Sequence, residues 1–417
     1  MSNVNKNQIL YIIQAALEYL VALLVSGSFL ATLTKEIGVS DSVTGILSSV
    51  ISLGCLFQLL SIIYTKRRVK GFVIIMSLLN QLLFASLYLI PLMGISGKFK
   101  IPLFIIAIFT AYFIYNLAHP KKINWLMSLV DDNVRGLFTA NKEIVSLISG
   151  MVFSFLMSAI VDYYMAGGKT KAAFIVSGVV LLVLTLLHTY VLMCIPEKES
   201  SVDKSFTVLQ TVKNVFSNRK VIRVTLLFVF YNISVYVSTP FYGTYAIGEL
   251  GFSLKYVSLL VILNSVARIL VSRFWGKYAD KKSFAIMIEK CFLFLALAYL
   301  AAMFTAPGNG RITFLFYYIF NGIAAGGINS ALINLVFDYV PYENRADSLA
   351  VSQAVAGLVG FITTVAASPL VSYIQNNQFK IFGTSIYAQQ ILSFLALFLT
   401  VSAAVYLRKM FIKFETK

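Results

Sequence analysis

Twelve stretches of this chain are apolar for long enough to cross a lipid bilayer, and that repetition narrows the possible folds more than any short motif does. A hydrocarbon core roughly 30 Å thick needs about 20 apolar residues in helical form. Inside it every backbone N–H and C=O must be satisfied within the protein, so segments of this length fold as helices. The qualifying segments are 9–33, 43–64, 72–93, 101–130, 143–163, 172–194, 221–247, 256–275, 284–305, 312–340, 348–374 and 385–407. The expected fold is therefore all-α, with twelve transmembrane helices.

A formal net charge of +17 raises the question of nucleic acid. Hydrophobic residues make up 59% of the chain and charged ones only 12%, against about a quarter in soluble domains. No polar domain is left to carry a nucleic-acid surface. The bases fall between apolar runs instead, in "TKRRVK" (65–70), the stretch 195–220, "GKYADKK" (276–282) and the tail "RKMFIKFETK". All four lie on one side of the predicted topology. The opposite loops are poorer, with Lys98, Lys100 and Arg311 as exceptions. The positive-inside rule then places both termini in the cytoplasm of a multi-pass protein of the plasma (inner) membrane. Lys6 precedes the first apolar run without a small-residue cleavage site, so that run is expected to be retained. Cys55, Cys194 and Cys291 are scattered and form neither a disulfide framework nor a metal pattern.

The stretch 195–220 is the one long polar segment, and it follows the sixth span. It divides the chain into a six-helix bundle (1–194), a cytoplasmic linker (195–220) and a second bundle (221–417). Internal repetition supports that division. Glu36-Ile37-Gly38 lines up with Glu249-Leu250-Gly251, an offset of 213 (36 to 249). "SLVDDNVRGLFTANKE" lines up with "DYVPYENRADSLAVSQ", placing Arg135 opposite Arg345 at an offset of 210 (135 to 345). Two matches at nearly one offset describe parallel repeats, related by an axis along the membrane normal.

With this topology, "WGKYADKKS" between spans 8 and 9 resembles the cytoplasmic signature of the major facilitator superfamily, at Gly276, Asp280 and Lys281. In the first half the corresponding "IIYTKRRVKG" keeps the basic cluster but not the Gly and Asp. The resemblance implies two pseudo-symmetric six-helix bundles and transport by alternating access. It also implies a cytoplasmic gate at Gly276, Asp280, Lys281, Arg135 and Arg345. Gly276 is expected to permit close helix approach or a tight exit from span 8. Asp280 is expected at the N-terminus of span 5, where the dipole favours a negative charge; a solvated loop carboxylate is the alternative. Span 5, "VSLISGMVFSFLMSAIVD", lacks the Gly-Pro motif of proton-driven drug exporters in that family.

The stretch "YNLAHPKKINWLMSLV" (115–130) puts charge where it is costly. The resemblance implies that helices 1, 4, 7 and 10 line a central cavity, and this is the fourth. Tyr112, Tyr115, Asn116, His119 and Lys122 share one stripe at helical spacing, and Pro120 removes a hydrogen bond to the Asn116 carbonyl. Lys121 lies a hundred degrees away, beside Asn124, Trp125 and Ser128, so Lys122 is the better candidate for the cavity. The lysines sit roughly 13 Å from the cytoplasmic end of the span, within partial reach of snorkelling. Glu18 in span 1 lies roughly 15 Å deep, where a lone charge costs about 2.5–3.5 kcal/mol. Opposite charges at matched depth predict a switchable Glu18–Lys122 pair.

The expected solute site is Lys122, Lys121, His119, Tyr115, Asn116 and Trp125, with Asn232 from span 7 and Asn329 from span 10; Glu18 is the coupling residue. Trp125 could stack on a ring-shaped solute or belong to the core. The small and amide residues of spans 7, 8 and 10, among them Gly326 and Gly327, fit helix packing better than ligand contact. "AGGKT" (166–170) lacks the first glycine of a phosphate-binding loop, and His119 and His188 lack carboxylates at ligand spacing. No catalytic constellation, cofactor or metal is implied. The sequence therefore predicts a monomeric secondary transporter, not an enzyme, of a small polar or anionic solute, proton-coupled in the manner of a symporter. Its partners are that solute, protons and the bilayer. The alternatives are an exporter of amphipathic drug- or lipid-like compounds and a non-transporting membrane sensor.

Overall fold

The structure is a computed structural model that describes residues 6–58, 68–130, 135–197, 216–339, 345–377, 380–381 and 384–412. It is built almost wholly of helix: α1 (Lys6–Leu24), α2 (Gly27–Glu36), α3 (Asp41–Phe57), α4 (Lys70–Leu89), α5 (Gly97–Met127), α6 (Arg135–Ala166), α7 (Thr170–Cys194), α8 (Arg219–Tyr236), α9 (Leu254–Lys281), α10 (Phe284–Met303), α11 (Gly310–Tyr339), α12 (Arg345–Asn377) and α13 (Ala388–Leu407). Among the described residues, eleven segments are long and apolar enough to cross a membrane. The remaining predicted span, 43–64, is seen as the 17-residue α3, and its continuation lies outside the described residues. A two-residue antiparallel ladder, β1 (Lys380–Ile381) with β2 (Thr384–Ser385), adds a strand pair that helical periodicity did not announce. Large apolar side chains such as Ile106, Leu186 and Phe398 stand on the outside, as a surface solvated by lipid tails requires.

Two predicted spans are not single helices. Span 1 breaks between α1 and α2, where Gly27 has a φ of 53° and Val25 and Ser26 donate to carbonyls three residues back. The carbonyl of Leu24, released by the break, accepts the hydroxyl of buried Tyr88 from α4. Span 7 breaks after α8. There Pro240 cannot donate a backbone hydrogen bond, and the chain continues as a 3-10 turn (Thr239–Phe241), one α turn (Tyr242–Thr244) and a π turn (Tyr245–Glu249). The freed Tyr236 carbonyl accepts the Thr364 hydroxyl from α12 at 2.8 Å. The two breaks recur at an offset of 212 (24 to 236), and each is satisfied by a neighbouring hydroxyl.

The repeat continues beyond the breaks. Gly38 (φ 79°) and Gly251 (φ 64°) both take the left-handed conformation that ends a helix, and α3 and α9 begin 213 residues apart (41 to 254). Asp162 of α6 accepts from the first backbone amides of α9, Leu254 (3.1 Å) and Lys255 (2.7 Å). Its repeat counterpart Gln375 (162 to 375) binds Asp41, the first residue of α3, at 2.8 Å and Glu249 at 2.8 Å.

The chain forms two compact units. The first comprises residues 1–39, 57–205 and 253–258; in it α1 packs on α6 and α7, and α4 on α5 and α7. The second comprises 40–56, 206–252 and 259–417; in it α10 packs on α11 and α13, and α8 on α12 and α13. Its interior is aromatic. Phe314 stacks on Tyr317 (centroids 5.4 Å apart) and meets Tyr242 edge-on (5.5 Å), while Tyr242 meets Tyr317 (4.9 Å). Close approach of α11 to α9 depends on Gly322, where a Cβ would stand 2.4 Å from the Asn264 carbonyl oxygen. At Gly326 the Arg268 carbonyl would be 2.9 Å away, so the expected packing role of glycine in span 10 is met.

Candidate functional site

The first unit carries its charge in the interior. Glu18 stands on α1 and Lys122 on α5, and the lysine ammonium donates directly to Glu18 Oε1 in an ion pair. Lys122 is 3% exposed and Glu18 19%, so the lysine does not snorkel to the surface. Lys122 also lies 5.5 Å from the Tyr115 ring centroid, and Tyr115 stacks on His119 at 4.9 Å. The buried Nδ1 of His119 has no hydrogen-bond partner among the described residues. Asn116, 2% exposed, donates to the Tyr112 carbonyl (2.8 Å) and accepts from Gln58 (3.1 Å). Helix α5 runs from Gly97 to Met127 through both Pro102 and Pro120, which keeps the predicted stripe on one element. Lys121 is only half-buried, a hundred degrees round the helix.

Behind the carboxylate lies a network that reasoning on the sequence missed. Gln14 donates to Glu18 Oε2 at 2.7 Å, and its amide nitrogen also faces Nε2 of His188 at 3.1 Å. The other ring nitrogen, Nδ1, faces the Gln81 amide at 3.0 Å. Gln14, Gln81 and His188 are 1%, 2% and 0% exposed. One polar chain thus joins α5, α1, α7 and α4. The signal was present, because Gln14 and Glu18 at i and i+4 share a helix face. His188 was weighed only as a metal ligand.

Below the pair, toward the N-terminal end of α1, the unit closes with a hydrophobic layer of Tyr11, Val69, Val73, Trp125, Leu126, Phe138 and Ile195. Trp125 is 3% exposed, and its indole N–H donates to the Pro196 carbonyl at 3.0 Å. Of the two roles open to Trp125, the structure shows packing. The layer is stapled at its edge. The Glu197 carboxylate accepts the backbone amides of Val69 and Lys70, and the Lys70 ammonium donates to the carbonyls of Met193 (2.8 Å) and Ile195 (2.7 Å). One acid and one base thereby cap the N-terminus of α4 and the C-terminus of α7.

The second unit contributes Asn232 and Asn329. Asn232 spends its amide on the Phe228 carbonyl one turn back (2.9 Å), and Asn329 is exposed on α11. Of the expected gate, Gly276 and Lys281 are exposed near the end of α9, while the side chains of Asp280, Arg135 and Arg345 lie outside what the structure describes. Helix α9 continues through Gly276 to Lys281, which corrects the expected tight exit there, and a Cβ on Gly276 would meet nothing within 4 Å among the described residues. Among the described residues, no close approach requires glycine at this position.

Comparison with known proteins gives the fold a context. The sequence profile described as the Major Facilitator Superfamily matches residues 11–364. No curated protein matches the chain by sequence. Among solved structures the nucleoside transporter NupG superposes with a TM-score of 0.71 at 12% identity, covering 98% of this chain and 99% of its own. An auto-inhibited POT family peptide transporter gives 0.73 at 11% identity, covering 97% of each chain. The xylose transporter XylE from E. coli, in a partially occluded inward-open conformation, gives 0.68 at 13% identity, covering 99% and 98%. Identities this low establish the shared fold and nothing about the solute.

Proposed function

From a chain that belongs to the Major Facilitator Superfamily, we propose secondary active transport of a small polar or anionic solute, with protons coupled through Glu18. The observation that carries this reading is the buried Glu18–Lys122 pair. Two charges in a low-dielectric interior are held by each other, so anything that neutralises one frees the other. A proton on Glu18 would release Lys122. An anionic group on the solute would compete for Lys122 directly, beside the Tyr115 ring and the His119 Nδ1 that has no hydrogen-bond partner among the described residues. Ion pairing and solute binding then exclude one another, which is the differential affinity that alternating access needs. The break between α1 and α2 lies about 9 Å beyond Glu18 at 1.5 Å per residue, and discontinuous helices are the usual builders of transporter sites. The basic loops support a reading in which both termini face the cytoplasm from a plasma-membrane protein, with the hydrophobic layer beneath the pair on that side.

The test is counterflow in proteoliposomes against a panel of anionic and neutral metabolites, with and without an imposed proton gradient. The expected result is gradient-driven uptake of an anionic or polar solute, with the gradient response lost in Glu18→Gln. Gradient response retained in Glu18→Gln overturns the coupling role, and no flux of any solute favours a sensor.

A further inference from the structure

His188 is the least exposed titratable group of the first unit, and the pair itself does not touch it. Its ring bridges two glutamine amides, one of which holds Glu18. The hydrogens can be assigned from the geometry. Gln14 Nε2 has two: one goes to Glu18 Oε2, and the other faces His188 Nε2, which accepts. A neutral imidazole then carries its proton on Nδ1, and that proton needs an acceptor. Gln81 supplies one when its amide is turned oxygen-inward, an orientation heavy-atom positions do not distinguish from its opposite. The same turn gives Gln81 Oε1 the partner it otherwise lacks. The turn leaves the Gln81 amide nitrogen in the place Oε1 had, facing no partner among the described residues, while the imidazole has both ring nitrogens matched and Gln14 keeps its donor aimed at Glu18.

We propose that His188 is a positioning residue: acting through Gln14, it holds the Glu18 carboxylate against Lys122 and so sets the pH at which the pair opens. The proposal rests on the coupling role of Glu18 given above and adds the element that tunes it. The other titratable groups around Glu18 are Lys122 and His119 of α5, Lys142 of α6 and Tyr11 of α1 itself; Lys142 lies over the Tyr11 ring at 5.1 Å. Among the described residues, His188 is the one titratable group linked to Oε2 through a second side chain. Gln14 without its imidazole partner can rotate away, and Oε2 then loses an oriented donor. Hydrogen bonds to a carboxylate favour its charged form, so Glu18 would accept a proton at higher pH.

The experiment measures the pH profile of transport for His188→Leu, Gln14→Leu, the double variant, His188→Gln and Glu18→Gln. The first two are expected to move the midpoint upward together by about one pH unit, the size of one charge-assisted hydrogen bond. The double variant should move it no further, because the two act in series. His188→Gln, which keeps a donor and an acceptor, should return the profile toward that of the unaltered protein. If His188→Leu does not fold, Gln14→Leu carries the test. A second readout is available because the chain has two histidines: in ¹⁵N-histidine-labelled His119→Gln protein, the remaining signal should show the Nδ1–H tautomer. A mixture of tautomers, as in a solvated ring, overturns the assignment. Unshifted profiles for His188→Leu and Gln14→Leu, with a flattened one for Glu18→Gln, overturn this proposal and leave Glu18 coupling intact. An unshifted profile for Glu18→Gln overturns both.

Discussion

The two units share a repeat and differ in what they bury. In each, one long helix (α1 and α8) breaks at an equivalent position and lends the freed carbonyl to a hydroxyl on a neighbour, Leu24 to Tyr88 and Tyr236 to Thr364. Around the first break lies a charged chain from Lys122 through Glu18 and Gln14 to His188 and Gln81. Beside the second lies a stack of aromatic rings centred on Phe314, Tyr317 and Tyr242, with hydroxyls bonded in pairs such as Tyr242 to Ser393. The backbone device is therefore separable from the chemistry beside it. The charged interior can answer a proton or an anion. The aromatic one is stabilised by area and ring geometry, which neither of those changes.

That contrast breaks most severely at the pair. Lys122→Met leaves the Glu18 carboxylate in the interior without its counter-charge, a loss of about 3–5 kcal/mol, and transport should fall to background. The double variant Lys122→Met with Glu18→Gln should recover most of the thermal stability in detergent, but not the transport. A double no more stable than the single would mean the pair is not the source of the loss.

Next in size is the aromatic centre. Phe314→Ala removes a fully buried ring and should cost about 3 kcal/mol, seen as a lower midpoint of thermal unfolding. The pH profile of whatever transport survives should keep its shape, and a shifted profile would show that the two interiors are not independent. Gly322→Val tests the backbone contact within the second unit. Its side chain would meet the Asn264 carbonyl, and strain of about 1–3 kcal/mol is expected. The smallest effect belongs to Gly276→Ala, whose Cβ would meet nothing within 4 Å among the described residues. Stability should change by no more than about 0.5 kcal/mol. A drop in transport without a drop in stability would assign that glycine to another stage of the cycle.

The fate of individual residues shows which inferences a linear reading supports. Glu18 and Lys122 were found because a charge at mid-span stands out against apolar neighbours and depth along a helix is simple arithmetic. Trp125 and His188 changed meaning because their roles come from neighbours distant in the chain. Trp125 meets Pro196, 71 positions away, and His188 meets Gln14, 174 positions away. The break in span 1 was less legible than the one at Pro240: no proline marks it, only Ser26-Gly27-Ser28 with apolar residues on either side.

What the order of residues determined alone is the number of spans, their repeat and the presence of opposite charges at one depth. Each of these follows from local hydropathy and the fixed rise of a helix. Which face of each helix turns inward, and so which amide, imidazole or indole meets which partner, was decided by packing between helices. Rotation about a helix axis leaves span length and hydropathy unchanged, and only contact with the neighbours selects one rotation.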